Sequence, residues 1–138
     1  MLEVFVVNLI APFILNTKLK PLMTQKPSFI VNVSSMEGVF HRCKKQSHHA
    51  HTNMAKAALN MMTRTAGIHY QSTGIYMTSV DTGWITDEKP ILKRDNRFVP
   101  PLDEIDGAMR CVDPVYEGFN NEKYLHTVFL KDYKVSPW

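Results

Sequence analysis

The run FIVNV, residues 29–33, limits the folds open to this chain more than any other feature. Four of its five residues are apolar, and three of those are β-branched. A continuous run of this kind is typical of a central strand that is covered on both faces, whereas a half-exposed strand alternates apolar with polar residues. Two more strands are predicted, at IYMTSV after Gly74 and at residues 125–130.

Helices are predicted before and between these strands. Apolar residues recur at helical spacing over residues 1–22 and occur nearly all round the predicted helix. We therefore expect this helix to be buried on two faces or shared with a partner. A bend is expected near Pro12. Residues 53–70 predict a second helix, capped by Thr52 or Asn53. A third helix is predicted over residues 102–112, ended by Pro114, and the chain after the third strand is expected to be irregular. This order predicts an α/β fold with a short parallel sheet, right-handed crossovers and helices on both faces.

Length and composition fit one ordinary globular domain. The chain has 138 residues, 44% hydrophobic and 21% charged, with a net charge of +3. The densest basic cluster, Arg42 with Lys44 and Lys45, predicts a solvated loop, so no nucleic-acid partner is expected. Two distant cysteines without a CxxC pattern predict reduced thiols and a cytoplasmic protein. No membrane contact is expected, because the apolar residues 1–15 are shorter than the roughly 20 that a span requires.

The stretch HHAHTNMAKAALNMMTR, residues 48–64, is open to three interpretations: a metal site, a buried helix or a catalytic helix. Zinc sites combine several Cys or His ligands at characteristic spacings. His48, His49 and His51 have no second cluster of that kind elsewhere in the sequence, so we expect a solvent-exposed loop and no metal.

Taken in order, five segments resemble the second half of the short-chain dehydrogenase/reductase domain. VNLIAPFILNTKLKPLM is similar to the family's fourth helix, in which Asn8 falls on an active-site Asn. IVNVSSMEG resembles the strand and loop of the catalytic serine, Ser35, and HTNMAKAALNMMTR resembles the YxxxK helix, with Lys56 as its lysine. VDTGWITDEKP resembles the PG motif and FLKDY the last strand. Residues 1–138 are therefore expected to form the C-terminal part of a Rossmann-type three-layer domain.

The resemblance implies NAD- or NADP-dependent interconversion of an alcohol and a carbonyl in a small-molecule substrate. By family, Ser35 would hydrogen-bond the substrate oxygen, Lys56 would hold the nicotinamide ribose, and Asn8 would help to hold a water relay. Gly83, with Thr82 and Thr86 near it, would lie close to the nicotinamide. Such groups position and polarise the reactants, while the cofactor carries the hydride.

The chain departs from the family pattern at the tyrosine. The residue four positions before Lys56 is Thr52, and a threonine hydroxyl has a pKa far above the value of about 10 for tyrosine, so it is a poor acid–base catalyst near neutrality. His51 carries an imidazole, a side chain commonly used for acid–base catalysis, but it is rotated by roughly 100° around the helix. Which of the two replaces the tyrosine stays open. Thr82 stands where the motif has proline, and Thr86 lies one position before the place of the family's nicotinamide-contacting threonine.

The glycine-rich turn that receives the cofactor pyrophosphate is missing. The chain has six glycines, none of them in GxxxGxG or GxGxxG. We therefore expect weak or no activity from this chain alone and an unpaired edge on the first strand. The chain is expected to be a truncated gene product, an alternative transcript or a partial gene model. The residue that would choose between NAD and NADP is absent. The alternative is a non-catalytic scaffold that forms homo-oligomers through helices 1–22 and 53–70, which pack against a partner's pair in the family.

Overall fold

The computed structural model describes residues 1–86 and 99–138. Its N-terminal helix, Leu2–Leu22, is continuous and includes a π segment and a final 3-10 turn. Two further 3-10 turns are Met36–Gly38 and Ser47–His49. The helices and strands are α1 (Leu2–Phe5), the π segment (Val6–Ile10), α2 (Ala11–Leu19), the 3-10 turn Lys20–Leu22, β1 (Ser28–Ser34), α3 (Ala50–Gln71), β2 (Ile75–Asp81), α4 (Glu104–Asn121), β3 (Phe129–Lys131) and β4 (Lys134–Ser136).

The sheet has the order β1-β2-β3-β4, and its first three strands are parallel. β1 and β2 pair in register over their full length, from Ser28 opposite Ile75 to Ser34 opposite Asp81. The predicted α/β fold with a parallel sheet is confirmed. Within the described residues β1 has a neighbour on one side only, so the predicted unpaired edge is also present.

The end of the chain is a hairpin, so the predicted irregular tail is wrong. β4 pairs antiparallel with β3, and only Asp132 and Tyr133 separate the paired residues Lys131 and Lys134. Both have a positive φ, 48° and 63°, which is the backbone of a type I′ hairpin turn. Such turns are usually recognised by Asn-Gly or Asp-Gly, and the pair Asp-Tyr gave no such signal.

Helices cover both faces of the sheet, and their connections have opposite hands. Ile30 and Met77 pack with Tyr70 of α3, whereas the Phe29 ring lies 5.1 Å from the Phe119 ring of α4, on the other face. The connections β1-α3-β2 and β2-α4-β3 step in the same direction across the sheet, so one of them must be left-handed. The prediction that every crossover is right-handed is therefore wrong. That rule reflects strand twist acting through short connections, and residues 82–103 separate β2 from α4.

The interface between α3 and the sheet contains a chain of buried polar side chains. Thr63 is fully buried, and its hydroxyl donates to the Leu59 carbonyl at 3.1 Å. It accepts from the Asn32 amide of β1 at 2.9 Å and from the Ser79 hydroxyl of β2 at 2.8 Å. Asn16 of α2 extends the chain by donating to the Asn32 side-chain oxygen at 3.0 Å. Because one hydroxyl has one donor and two acceptor positions, Thr63 is fully satisfied.

Two helix boundaries differ from the prediction. α3 begins at Ala50, because the 3-10 turn leads directly into it, so Thr52 and Asn53 lie inside its first turn and neither caps it. α4 starts with a capping box formed by Asp103 and Asp106 and runs through Pro114 to Asn121. Pro114 removes one helical hydrogen bond without ending the helix, and its ring is buried.

The N-terminal helix is more exposed than its composition predicted. The expected disturbance near Pro12 is a π segment just before it, in which the Ala11 amide donates to the Val6 carbonyl. No residue of the N-terminal helix is fully buried, and Val7, Phe13 and Leu15 are each more than half exposed. The structure thus leaves an apolar helix face open.

By length and composition, one helix among the described residues could cross a membrane. It is Leu2–Leu22, with 21 residues and a mean hydropathy of 1.5. The apolar stretch was predicted to be too short for this, but the helix continues well beyond residue 15. Core helices and signal sequences meet the same criterion.

We expect Thr63→Val to destabilise the fold by about 2–4 kcal/mol, because it leaves two buried donors, on Asn32 and Ser79, without their acceptor. Thr63→Ser keeps the hydroxyl and should cost only about 1 kcal/mol, the value of a buried methyl group. Urea unfolding measures both. The control is Thr65→Val in the same helix, because the exposed Thr65 hydroxyl donates to carbonyls of its own helix. Equal losses at positions 63 and 65 would contradict the assigned role.

Candidate active site

Polar residues gather where the parallel strands β1 and β2 end. Ser34 and Asp81 are register partners at the last position of each strand, and Ser35 follows Ser34. The Met36–Gly38 turn leaves from one strand and residues 82–86 leave from the other. Ligands of open α/β sheets bind outside the carboxyl ends of the strands, so this end of the sheet is the candidate site.

The two serines of this strand end have different surroundings. Ser34 is buried, and its hydroxyl donates to the Asn60 side-chain oxygen of α3 at 2.5 Å. Ser35 is half-buried and occupies the N-cap of the Met36–Gly38 turn, where its hydroxyl oxygen accepts from the Glu37 amide at 3.2 Å. Ser35 is thus the serine that a ligand can reach, whereas Ser34 joins β1 to α3.

Lys56 of α3 reaches the same end of β1. Its ammonium donates to the Val33 carbonyl at 2.8 Å, two residues before Ser35. The Met36–Gly38 turn also packs on the helix backbone at this point, because a Cβ on Gly38 would lie 2.5 Å from the carbonyl carbon of Lys56. The Met36–Gly38 turn, which we call the serine turn because Ser35 is its N-cap, therefore lies close to Lys56 on one side of the sheet.

Asn8 lies in the π segment and shares a cavity with Lys56. Its amide donates to the Val4 carbonyl at 3.1 Å. The cavity, of about 330 Å³, runs along the outer edge of β1 and is also lined by Asn16 and Asn32. π segments are frequent at functional sites. The structure thus brings Asn8 and Lys56 together, while Ser35 is not among the described residues that line this cavity.

Thr52 and His51 lie in the first turn of α3. Both are half-buried. Thr52 is four residues before Lys56 and so projects from the same helix face, whereas His51 is rotated away from that face. Thr52 is therefore better placed than His51 to contact a ligand that Lys56 also contacts.

The residues after β2 form a tight turn. Gly83 has φ = +75°, a conformation that side-chain-bearing residues rarely adopt. Thr82 is half-buried, and its hydroxyl donates to the Gly83 carbonyl at 3.3 Å. Thr86 is exposed further along. The position of the family's nicotinamide-contacting threonine, residue 87, lies outside the described residues.

Sequence reasoning missed Asp81. Its carboxylate is 5% exposed and accepts from the Gly83 amide at 2.7 Å and from the Met36 amide at 2.5 Å. The Lys131 ammonium lies 3.9 Å from the same carboxylate. The spacing Asp-x-Gly is a signal for an Asx turn and could have identified the first contact. The contact with Met36 depends on the pairing of β1 with β2 and has no local signal.

The basic loop is exposed, as predicted, but sequence reasoning missed the contacts of Lys45. Its ammonium donates to the Met36 carbonyl at 2.6 Å and to the Glu37 carbonyl at 2.7 Å. Partial burial lowers the pKa of Lys45, the charge of Glu37 opposes this, and Arg42 adds to it. A lysine from the predicted basic loop therefore holds the serine turn from outside.

The histidine-rich stretch forms no metal site in the part of the chain that the structure describes. The His48 and His49 rings lie 4.2 Å apart, but no group of three or more His, Cys, Asp or Glu side chains with a suitable arrangement occurs among residues 1–86 and 99–138.

We expect Gly38→Ala to move the serine turn away from α3, because its Cβ would meet backbone atoms of Lys56 that cannot rotate aside. Overpacking of this kind costs about 1–3 kcal/mol, measured by urea unfolding, and the Lys56 amide should shift in NMR spectra. Gly107→Ala is the control, since its nearest neighbour is the flexible end of Ile85 at 2.9 Å. An unperturbed Lys56 amide in Gly38→Ala would contradict the contact.

Comparison with known proteins bears on the family and the fold of this chain. A family model described as enoyl-(acyl carrier protein) reductase, which represents short-chain dehydrogenases/reductases, matches residues 1–98. An uncharacterized protein of Acanthamoeba polyphaga mimivirus is 35% identical over 127 residues, which cover 85% of this chain and 27% of the viral protein.

Solved carbonyl reductases have the same fold. The NADPH-bound carbonyl reductase from chicken fatty liver is 24% identical with a TM-score of 0.64, and the match covers 99% of this chain and 56% of the reductase. The carbonyl reductase Sniffer of D. melanogaster is 18% identical with a TM-score of 0.73, covering 100% of this chain and 57% of Sniffer. The chain thus spans little more than half the length of these structures.

Proposed function

This chain belongs to the short-chain dehydrogenase/reductase family, and from that membership we propose that residues 1–138 form the C-terminal part of an NAD(P)-dependent oxidoreductase domain. This part supplies the side of the active site that faces the substrate and the nicotinamide. The reaction is the interconversion of an alcohol and a carbonyl in a small molecule. The chain alone is weakly active or inactive.

One observation carries this proposal: the Lys56 ammonium is held at the end of β1, beside the Ser35 turn and on the cavity that Asn8 lines. A helix lysine with no role at this site would extend into solvent. Here the side chain crosses from α3 to the Val33 carbonyl, and Gly38 packs against its backbone. The three groups that the family uses around the reacting oxygen and the ribose are thus supported by neighbouring elements.

The described residues fit the nicotinamide end of NAD or NADP. Gly83 has no side chain and adopts a positive φ in the turn after β2, and Lys56 offers an ammonium for a ribose hydroxyl. When bound, the cofactor supplies or accepts the hydride. Thr82 and Thr86 would lie beside the nicotinamide in this arrangement. Residues 1–138 contain no glycine-rich turn for the pyrophosphate, so they offer no such site for the other end of the cofactor.

In this proposal the chain's own residues bind and orient. The Ser35 hydroxyl hydrogen-bonds the substrate oxygen, and Asn8 holds water behind Lys56. Thr52 occupies the position of the proton donor but is a weak acid, which is a second reason to expect slow turnover. His51 offers a titratable group one position away, at the cost of a helix rotation.

We expect the purified chain to oxidise NADH or NADPH no faster than background with a panel of aldehydes and ketones, followed at 340 nm. It should nevertheless bind either cofactor weakly, with affinities alike within about threefold, because the residue that distinguishes them is not in this sequence. Lys56→Met should weaken binding about tenfold or more, the effect of losing a hydrogen bond to a charged group.

Lys18→Met is the matched control, since Lys18 is an exposed lysine of α2 away from the cavity. Robust turnover would overturn the proposed inactivity. A chain that binds neither cofactor, or whose binding is insensitive to Lys56→Met but sensitive to Lys18→Met, would overturn the proposed cofactor site.

The second candidate function is that of a non-catalytic scaffold that forms homo-oligomers. The observation in its favour is an apolar groove of about 510 Å³ between the N-terminal helix and α3. Phe13 and Met61 line it, and both are more than half exposed. The groove is apolar on both helices, which supports the prediction that residues 1–22 and 53–70 pack against a second copy of the chain. An oligomer of this kind is compatible with either function.

We expect Met61→Glu to shift the chain from oligomer to monomer in sedimentation velocity, because it places a charge in this groove. Met109→Glu is the control: Met109 is 55% exposed, against 51% for Met61, and it belongs to α4 on the opposite face of the sheet. If both variants sediment like the wild type, the groove is not the interface. An oligomer that binds no cofactor favours the scaffold over the enzyme.

A cytoplasmic location is part of the proposal. Cys43 is exposed, Cys111 is half-buried, and both are free thiols. Burial raises the pKa of the Cys111 thiol, which makes it less reactive. Reduced, unpaired cysteines are typical of the cytoplasm.

A further inference from the structure

The carboxylate of Asp81 connects the two turns that carry the proposed site. Its Oδ2 accepts from the Met36 amide, next to Ser35, and its Oδ1 accepts from the Gly83 amide. The distances are 2.5 and 2.7 Å. Asp81 is 5% exposed, so the two bonds lie in a largely water-free environment, where such bonds are strong and their loss is costly.

The chemistry of these contacts requires a carboxylate. Both donors are backbone N–H groups, so both side-chain oxygens must accept, and an ionised carboxylate is the side chain with two acceptor oxygens. Burying that charge is unfavourable unless it is compensated. The two amides and the Lys131 ammonium, 3.9 Å from Oδ1, provide the compensation.

Asp81 also restrains the turn at Gly83, where the sequence has no proline to fix the backbone. Proline before the glycine would fix the backbone of the turn through its ring, but this chain has Thr82 there. The bond from the Gly83 amide to Asp81 closes an Asx turn, which holds the same stretch through a hydrogen bond.

We propose that Asp81 is a positioning residue that holds the Ser35 turn and the Gly83 turn in fixed relation, so that the substrate oxygen and the nicotinamide meet in the right geometry. This inference rests on the function proposed above. The constraint extends to the far side of the sheet, because Lys131 also lies 3.5 Å from Asp132, which in turn lies 3.5 Å from Arg110 of α4.

The test combines amide hydrogen exchange by NMR with binding of reduced nicotinamide mononucleotide to the full chain, since this probe lacks the adenylate half of the dinucleotide. Asp81→Asn keeps one acceptor oxygen, so the Met36 or the Gly83 amide should exchange about tenfold faster or more, while the β1–β2 ladder is unchanged. Affinity for the mononucleotide should fall about tenfold. Asp113→Asn, which changes a carboxylate of α4 instead, should alter neither.

Asp81→Ser separates the two contacts and removes the buried charge, so it remains informative if Asp81→Asn fails to fold. A serine hydroxyl can close the turn to Gly83 but is too short to reach Met36. We therefore expect fast exchange at Met36, continued protection at Gly83, and weaker mononucleotide binding.

Unchanged exchange at both amides in either variant would overturn the inference. Faster exchange with full mononucleotide affinity would also overturn it, because the turns would then be free without loss of binding. If the wild-type chain binds no mononucleotide, the proposed function fails, and the exchange rates alone decide whether Asp81 connects the turns.

Discussion

Three hydrogen bonds meet at the buried hydroxyl of Thr63. One stays within α3, at the Leu59 carbonyl, and the other two join α3 to the register partners Asn32 of β1 and Ser79 of β2. An apolar contact would permit the helix to slide or rotate by small amounts, whereas these bonds require one placement. Lys56 lies seven residues earlier, two turns toward the helix N-terminus and about 10 Å along its axis. The position of Thr63 therefore determines where the lysine stands relative to the end of β1.

The contacts at the carboxyl end of β1 depend on this placement of α3. With α3 fixed, Gly38 can approach the Lys56 backbone and Ser34 can reach Asn60. The polar residues of the strand thus have two uses. Those that face α3 fix the helix inside the protein, and Ser35, just beyond the strand, remains reachable. A strand made only of valine and isoleucine would bury as much surface but would leave the helix less precisely located.

The sequence predicted the parts of the fold that depend on local pattern. The apolar run at residues 29–33 and the small-residue helix after it identified β1 and α3, and the resemblance placed Lys56 and Ser35 at adjoining positions. The left-handed connection could not be predicted, because it depends on which face α4 covers. The predicted helix end at Pro114 was wrong for a similar reason. An isolated helix would end there, but packing of α4 on the sheet stabilises the helix beyond Pro114. Asp81 was missed because its second contact joins residues 45 positions apart, Met36 and Asp81, through a strand pairing.

The binding energy of a dinucleotide cofactor bears on the weak activity proposed for this chain. A hydrogen bond to a charged group such as the Lys56 ammonium contributes about 1.5–3 kcal/mol, whereas a micromolar dissociation constant corresponds to about 8 kcal/mol. In Rossmann-type folds much of the difference comes from the pyrophosphate at a helix N-terminus and from the adenosine end, which require a glycine-rich turn. In the proposed function, the residues of this chain would orient the reactive end of a dinucleotide and bind it only weakly. Tighter binding would need further groups beside this site, and among the described residues β1 has a neighbouring strand on one side only, so its other edge is open to a further strand.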